Sequence, residues 1–333
     1  MSTSASPLRR GVRAAGLAAA LALATIAVVS ATPPALAAPV PGMAAAPYEY
    51  FGWGNPQDPT TVMARTGIRW FTLAFILSDG GCNPKWDGRR GLTGGVDQAN
   101  INKIRARGGD VVVSFGGWAG TKLGEKCSTA AALAGAYQKV INAYRLRAID
   151  IDIENTEFHS NAAQQRVIDA LKIVKSRNPG IKTYVTIGTL QTGPDSWGVA
   201  MINRGAAAKL DADFVVMPFE FGGGTTNMAT LSKKAADGLK NRVKAAYRYS
   251  DDVAYRHIGI SSMNGKAGAG ERVSVADFKN MLAYANLHHL ARFTYWAVNR
   301  DRPCGGANNN GDSCSGIAQQ PYDFTKVIAS YAG

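Results

Sequence analysis

The chain has 333 residues, 46% of them hydrophobic, with 37 basic against 24 acidic side chains and a formal charge of +13. That charge raises nucleic acid as a partner, but the lysines and arginines are scattered and no run interleaves them with aromatics, which argues against it. The length suits one large α/β domain or two small ones, and no low-complexity linker divides it.

Residues 1–38 read as a secretory signal peptide. Arg9, Arg10 and Arg13 form a basic start, Ala14 to Ser30 an apolar run, and Ala35-Leu36-Ala37 supplies small residues for cleavage near Ala37 or Ala38. The run is short for a membrane anchor and breaks at Pro33-Pro34, so secretion is expected and membrane attachment is not. The Arg9-Arg10 pair leaves the Sec and twin-arginine routes both open. Residues 39–47 read as a linker. Losing three arginines and no acid leaves 34 basic against 24 acidic side chains, a charge of about +10.

Cys82, Cys127, Cys304 and Cys314 are an even set in a chain expected to be exported, which favours two disulfides. Three pairings are open. Cys304 and Cys314 bracket a Gly/Asn-rich loop and are paired locally, leaving Cys82 with Cys127. Neither the cysteines nor His159, His257, His288 and His289 have zinc spacing, and neither metal nor cofactor is expected.

From residue 48 onward, short β-branched or aromatic runs alternate eight times with longer amphipathic stretches. The predicted strands are Tyr48–Trp53, Trp70–Ile76, Val111–Phe115, Ala148–Ile153, Thr183–Ile187, Phe214–Pro218, His257–Ser262 and Phe293–Ala297. Helical patterns between them include Ala131–Tyr144, Ala162–Val174, Lys233–Tyr247 and Val275–Ala285. Alternation of this kind predicts a parallel sheet with right-handed crossovers, and eight units predict closure into a single-domain (β/α)₈ TIM barrel over residues 48–333. The competing open doubly wound sheet would carry a Gly-rich phosphate loop, which Gly52-Trp53-Gly54-Asn55-Pro56 does not match.

Chemistry in such barrels sits at the carboxyl ends of the strands. The fourth strand reads Ala148-Ile149-Asp150-Ile151-Asp152-Ile153-Glu154. Side chains alternate along a strand, so the isoleucines face the helices while Asp150, Asp152 and Glu154 face the barrel interior. Three like charges in a low-dielectric interior are costly, so they either share protons or hold a metal. Glu220 is one conceivable metal contributor, but no further cluster converges, and proton sharing explains the order better. Glu154, nearest the rim, then becomes a general acid whose pKa the neighbouring charge raises. A retaining glycosidase needs a second carboxylate as nucleophile. The seventh strand, His257-Ile258-Gly259-Ile260-Ser261-Ser262-Met263, has none. A substrate carrying its own nucleophile, the 2-acetamido group of N-acetylglucosamine, fills that gap.

These residues resemble the D-x-x-D-x-D-x-E signature of glycoside hydrolase family 18, the chitinase family, at Asp150, Asp152 and Glu154. Val113-Ser114-Phe115-Gly116-Gly117 resembles the family's S-x-G-G motif, and Trp296 resembles the tryptophan beneath the reacting sugar. The resemblance implies that Glu154 is the proton donor, that Asp152 orients the acetamido group and that Asp150 shares a proton with Asp152. It also implies that Ser114 tunes that pair and Trp296 stacks under the sugar.

Two positions depart from the pattern. Arg147 replaces the first aspartate, on the opposite face of the strand. Met217-Pro218-Phe219-Glu220 stands where the family has M-x-Y-D, so either Tyr50 or Tyr295 supplies the missing hydroxyl or catalysis is weakened. Tyr50, Trp53, Gln191, Met217, Glu220, Gly116 and Gly117 join the expected substrate contacts, and Trp118 is a further cleft candidate. Trp70 and Trp197 read as packing. Trp86 fits core or cleft, Gly116-Gly117 fits a tight turn or a close substrate, and Asn299 and Arg300 fit the cleft or the rim.

The expected function is a secreted, monomeric chitinase acting on chitin or other N-acetylglucosamine glycans. Only the short loop from Asn264 to Arg272 follows the seventh strand, in place of the α+β insertion of some family members, which implies an open cleft suited to endo attack. Cleavage of the chitobiose core of N-glycans and a non-catalytic chitin-binding lectin are the alternatives. The presence of Glu154 favours an enzyme.

Overall fold

A computed structural model of the protein describes residues 1–6, 42–222, 227–306 and 311–333. The chain divides into two compact units, Met1–Ala37 and Ala38–Gly333, and every described strand and helix lies in the second. The basic start, apolar run and cleavage motif read as a signal peptide lie outside the described residues, as does the centre of the Cys304–Cys314 loop.

Eleven strands are described: β1 Tyr48–Tyr50, β2 Trp70–Ser78, β3 Pro84–Trp86, β4 Asp110–Gly116, β5 Ala148–Ile153, β6 Lys182–Gly188, β7 Asp213–Met217, β8 Ile258–Met263, β9 Gly265–Lys266, β10 Arg272–Val273 and β11 Arg292–Trp296. The helices are α1 Pro59–Thr66, α2 Val96–Ala106, α3 Leu123–Lys126, α4 Ala130–Tyr144, α5 Asn155–Phe158, α6 Asn161–Arg177, α7 Ser196–Ala207, α8 Met228–Tyr247, α9 Asp251–Tyr255, α10 Val275–His288 and α11 Asp323–Ile328. Parallel pairing runs in the order β1-β2-β4-β5-β6-β7-β8-β11, which makes the second unit a TIM barrel. Each of the eight predicted strands lies on one of these. Only β3, which folds back antiparallel on β2, and the β9–β10 hairpin were unforeseen. The first strand stops at Tyr50 rather than Trp53 because the next residues turn, with Gly54 and Asn55 both at positive φ.

The isoleucines of β5 pack outward with Val167, Ile168 and Leu171 of α6 and with Phe115 of β4, in one core that encircles the sheet. Among the described residues no ladder joins β1 to β11, and side chains close that seam. The Asn299 amide accepts from Tyr50 N–H at 3.0 Å and donates to Tyr50 C=O at 2.8 Å, standing in for a neighbouring strand. Asn299 therefore belongs to the rim. Arg300 does too: its guanidinium is spent on the carbonyls of Asn264, Lys266 and Gly311.

The stretch expected to be a linker differs in its described part. Met43 and Ala46 are buried with Trp70, Val112, Ala148, Tyr184 and Val215, forming a plug at the amino-terminal end of the barrel. Thr72 Oγ1 donates to Ala46 C=O at 2.9 Å, and Thr72 N–H donates to Pro47 C=O at 2.8 Å. A Pro/Ala-rich composition resembles a linker, but small apolar residues also fit the narrow floor of a barrel.

Both disulfides are the expected ones. Cys82–Cys127 joins the β2–β3 turn to the end of α3, and Cys304–Cys314 closes the loop after β11.

Candidate active site

Asp150 and Asp152 point into the barrel as strand parity requires, and Glu154 follows β5 at the mouth as the N-cap of α5. Asp150, fully buried, accepts three hydroxyl bonds: from Tyr48 at 2.7 Å, Ser114 at 2.6 Å and Thr186 at 2.6 Å. These donors come from β1, β4 and β6, so the carboxylate is tied to three strands. Both of its oxygens are occupied by donors, which leaves little for a metal ion. Among the described residues no group of three or more His, Cys, Asp or Glu side chains is placed to hold one.

One step up the strand, Asp152 is 4% exposed, and its Oδ1 is buried with no hydrogen-bond partner. Burial, then the charges of Glu154 and Asp150, push its carboxyl well above the ordinary range. Glu154 is half-buried, and burial pushes it up to about 7 against the pull of Lys122. The sequence points to the neighbouring acid as the cause of that rise; desolvation supplies it instead.

Below the acids lies Arg292, fully buried, 4.2 Å from the Tyr184 ring centroid and donating to Thr72 Oγ1 at 2.6 Å. Its charge favours the ionised form of Asp152. The sequence reading missed it, although Arg292 shares inward parity with Thr294 and Trp296, and a charge on that face was a signal.

Across the mouth from Glu154, Trp296 stacks on Phe75 at 5.5 Å with planes 9° apart, and Tyr48 lies 6.0 Å away. Strict alternation along β2 turns Phe75 outward. A register shift between Leu73 and Ile76 brings it inward, so no periodicity argument could have found it.

Gly116 and Gly117 stand at positive φ, and what approaches them is the protein itself. A Cβ at Gly116 would meet the Asp152 carbonyl at 2.1 Å, and one at Gly117 the Phe75 ring at 2.7 Å. The double glycine therefore seats the acid strand and the aromatic floor.

The remaining expected contacts divide. Met217 ends β7 on the inward face. Tyr50 is inward and buried near the mouth, 4.9 Å from Trp53 and under the Arg90 guanidinium. Tyr295 points outward instead, packing on Phe278 and Phe324 with its hydroxyl on Asp301 and Thr325, so it cannot replace the absent strand-six hydroxyl. Glu220 borders a cavity of about 540 Å³ with Trp296 and Met263, but its carboxylate accepts from Gly268 and Ala269 N–H, both at 2.6 Å. It holds the β9–β10 hairpin. Gln191 is half-buried in the turn after β6. Trp53 and Trp118 are 45% and 72% exposed on the loops after β1 and β4, whereas Trp86 is core, donating to Tyr144 at 2.8 Å.

No family model matches the chain. It is 24% identical over 307 residues to a probable bifunctional chitinase/lysozyme of Escherichia coli (strain K12), covering 86% of this chain and 34% of that protein. It is 24% identical over 274 residues to endochitinase 11 of Metarhizium anisopliae, covering 78% and 52%. The chain thus spans about a third and about half of these two relatives. The catalytic domain of a hyperthermophilic chitinase from Pyrococcus furiosus superposes with a TM-score of 0.76 at 27% identity, covering 86% of this chain and 93% of that one. A family GH18 chitinase from Chromobacterium violaceum shares the fold, with a TM-score of 0.55 at 15% identity over 86% and 82%.

Proposed function

We propose that this chain, a chitinase-like hydrolase barrel of glycoside hydrolase family 18, cleaves β-1,4 bonds between N-acetylglucosamine units by substrate-assisted catalysis with retention. The observation that carries the reading is the buried, unpartnered Asp152 Oδ1 between an anchored Asp150 and a rim acid. An acceptor in that state lacks a donor, and an acetamido N–H is a donor of the right kind.

In this scheme the sugar lies on the Phe75–Trp296 stack. Glu154, protonated near neutrality, gives its proton to the leaving oxygen. The acetamido carbonyl attacks the anomeric carbon, and Asp152 in its ionised form, which the Arg292 charge favours, accepts the N–H and stabilises the positive charge that develops on the ring. Asp150, held by three hydroxyls, lies one step below Asp152, and its charge raises the Asp152 pKa. Glu154 then takes a proton from the water that opens the ring. Glu220, fixed on two backbone N–H groups, is not free to act as a nucleophile.

The α10 helix begins at Val275, shortly after β8 ends at Met263, so only the β9–β10 hairpin rises there. Together with the exposed Trp53 and Trp118, an unroofed mouth favours a long chain bound across it and endo attack. Export as a monomer is part of the proposal, supported by the basic and apolar character of residues 9–38 and by two disulfides. Incubation with chitin oligosaccharides and with a high-mannose glycopeptide, followed by product mass analysis, tests the substrate. Shortened chitooligosaccharides support the proposal. Cleavage of the glycopeptide alone redirects it to N-glycans, and binding without products to a lectin.

A further inference from the structure

The loops after β4 and β5 stay tied together beyond the paired part of the two strands. The ladder ends where Gly116 pairs with Asp152, and Gly117 N–H still donates to the Asp152 carbonyl at 2.8 Å. There Gly116 and Gly117 turn one chain away at positive φ, and Asn155, the residue after Glu154, turns the other at φ +53°. The link that follows is made by a side chain: Asn155 Nδ2 donates to the Trp118 carbonyl. Consecutive residues of the β4 loop, Gly117 and Trp118, therefore grip the chain two residues before Glu154 and one residue after it. Farther out, Thr156 Oγ1 donates to Glu125, the Gly124 N–H to Glu157 and Arg166 to the Gly124 carbonyl, so α5 and α6 are fastened to α3 as well.

Two properties of asparagine suit it to this place. A non-glycine residue at positive φ is uncommon, and Asn is among the few side chains that adopt the left-handed region at low cost. Its amide also supplies an N–H donor without adding charge beside the acid. Gly would keep the turn but bring no donor, and Asp would bring a second carboxylate and no donor. Asn155 is half-buried, whereas Trp118 is 72% exposed. The bond thus fixes the backbone of the loop and leaves the indole open to a ligand.

We infer that Asn155 is a positioning residue that holds the exposed indole of Trp118 and the carboxyl of Glu154 in one fixed relation. Its consequence for rate rests on the proposed reaction: a sugar chain lying on Trp118 presents its glycosidic oxygen to the acid only while the two loops keep their spacing. The tie itself exists without turnover and stands apart from that reaction.

Asn155→Gly tests this, because it keeps the left-handed turn and loses only the amide. On an N-acetylglucosamine hexasaccharide the variant is expected to lose about tenfold in kcat, through the displaced acid, and to raise KM about threefold, through the displaced indole. In a Trp118→Ala background the KM effect should vanish and the kcat effect remain. Nitrogen-15 relaxation of the full chain reads the tie without turnover: the Trp118 backbone amide should gain nanosecond mobility in Asn155→Gly. An equally rigid Trp118, an unchanged kcat, or a KM effect that persists without the indole overturns the inference. A mobile Trp118 with no hydrolysis by any chain upholds the tie and sinks the chitinase reading alone. If Asn155→Gly does not fold, the unsubstituted chain decides: the Asn155 side-chain amide protons must exchange more slowly than those of the exposed Asn241, and equal rates overturn the inference.

Discussion

Asn264 holds the peptide after Trp296 from both sides: its N–H donates to the Trp296 carbonyl, and its side-chain Oδ1 accepts from Ala297 N–H, both at 3.1 Å. Arg300 in turn donates to the Asn264 carbonyl at 2.9 Å. The tilt of the indole is thus set by a buried amide on the neighbouring strand's loop. Asn264→Ala is expected to cost about 1–3 kcal/mol of stability, because it leaves the Ala297 N–H unpaired. It should also raise KM for chitooligosaccharides more than it lowers kcat. Urea unfolding and steady-state kinetics check this, and an unchanged KM would show that the amide does not orient the tryptophan.

Glu154→Gln keeps the side chain's shape but has no acidic proton to give. Hydrolysis is expected to fall by roughly 100- to 10,000-fold while oligosaccharide binding, followed by tryptophan fluorescence, stays near that of the unsubstituted chain. A variant retaining a tenth of the activity would place the acid elsewhere.

The raised Glu154 value sets two pH dependences. As a general acid it must be protonated, so kcat/KM should fall above a limb near 7. Stability carries the same sign. Between its ordinary value of 4.5 and about 7 the folded chain holds a proton that the unfolded chain has lost, so stability falls as pH rises through that window. Glu154→Gln should therefore gain stability relative to the unsubstituted chain at pH 8, a gain that vanishes below pH 4.5. Parallel curves from thermal unfolding at both pH values would contradict the assignment.

The two disulfides close loops of unequal length, with sequence separations of 45 and 10 residues. On the chain-entropy view, losing Cys82–Cys127 costs about 4 kcal/mol and losing Cys304–Cys314 about 3 kcal/mol. Replacing both members of one bridge by serine, followed by denaturant unfolding, measures the difference. Only the first loss should also lower activity, since that bridge ends α3, whose Glu125 accepts from Thr156 in the turn after Glu154.

How much the sequence disclosed depends on which physical signals are periodic. Ile149, Ile151 and Ile153 alternate with acids, so β5 and its inward face were legible, and the eightfold alternation of strand and helix patterns implied the barrel. Phe75 was not legible, because a register shift breaks the parity on which the inference depends. Lys122 was hidden for a different reason: it lies in a loop, and only the folded chain shows that it is buried. Arg292 could have been found, since parity alone places it inside. The plug at Met43–Ala46 shows the opposite failure, in which composition suggested a linker and packing made a barrel floor.

The substrate's acetamido group is the nucleophile of the proposed reaction, and the anomeric form of the first product tests that claim most directly. Proton NMR of fresh chitooligosaccharide hydrolysate, read before mutarotation, should show the β-anomer, because two inversions occur. Substrates lacking the N-acetyl group at the reacting sugar should resist cleavage, and Asp152→Asn should lose nearly as much rate as Glu154→Gln. An α-anomer released first would mean that water attacks directly from the opposite face, and would contradict substrate assistance even with chitin as the substrate.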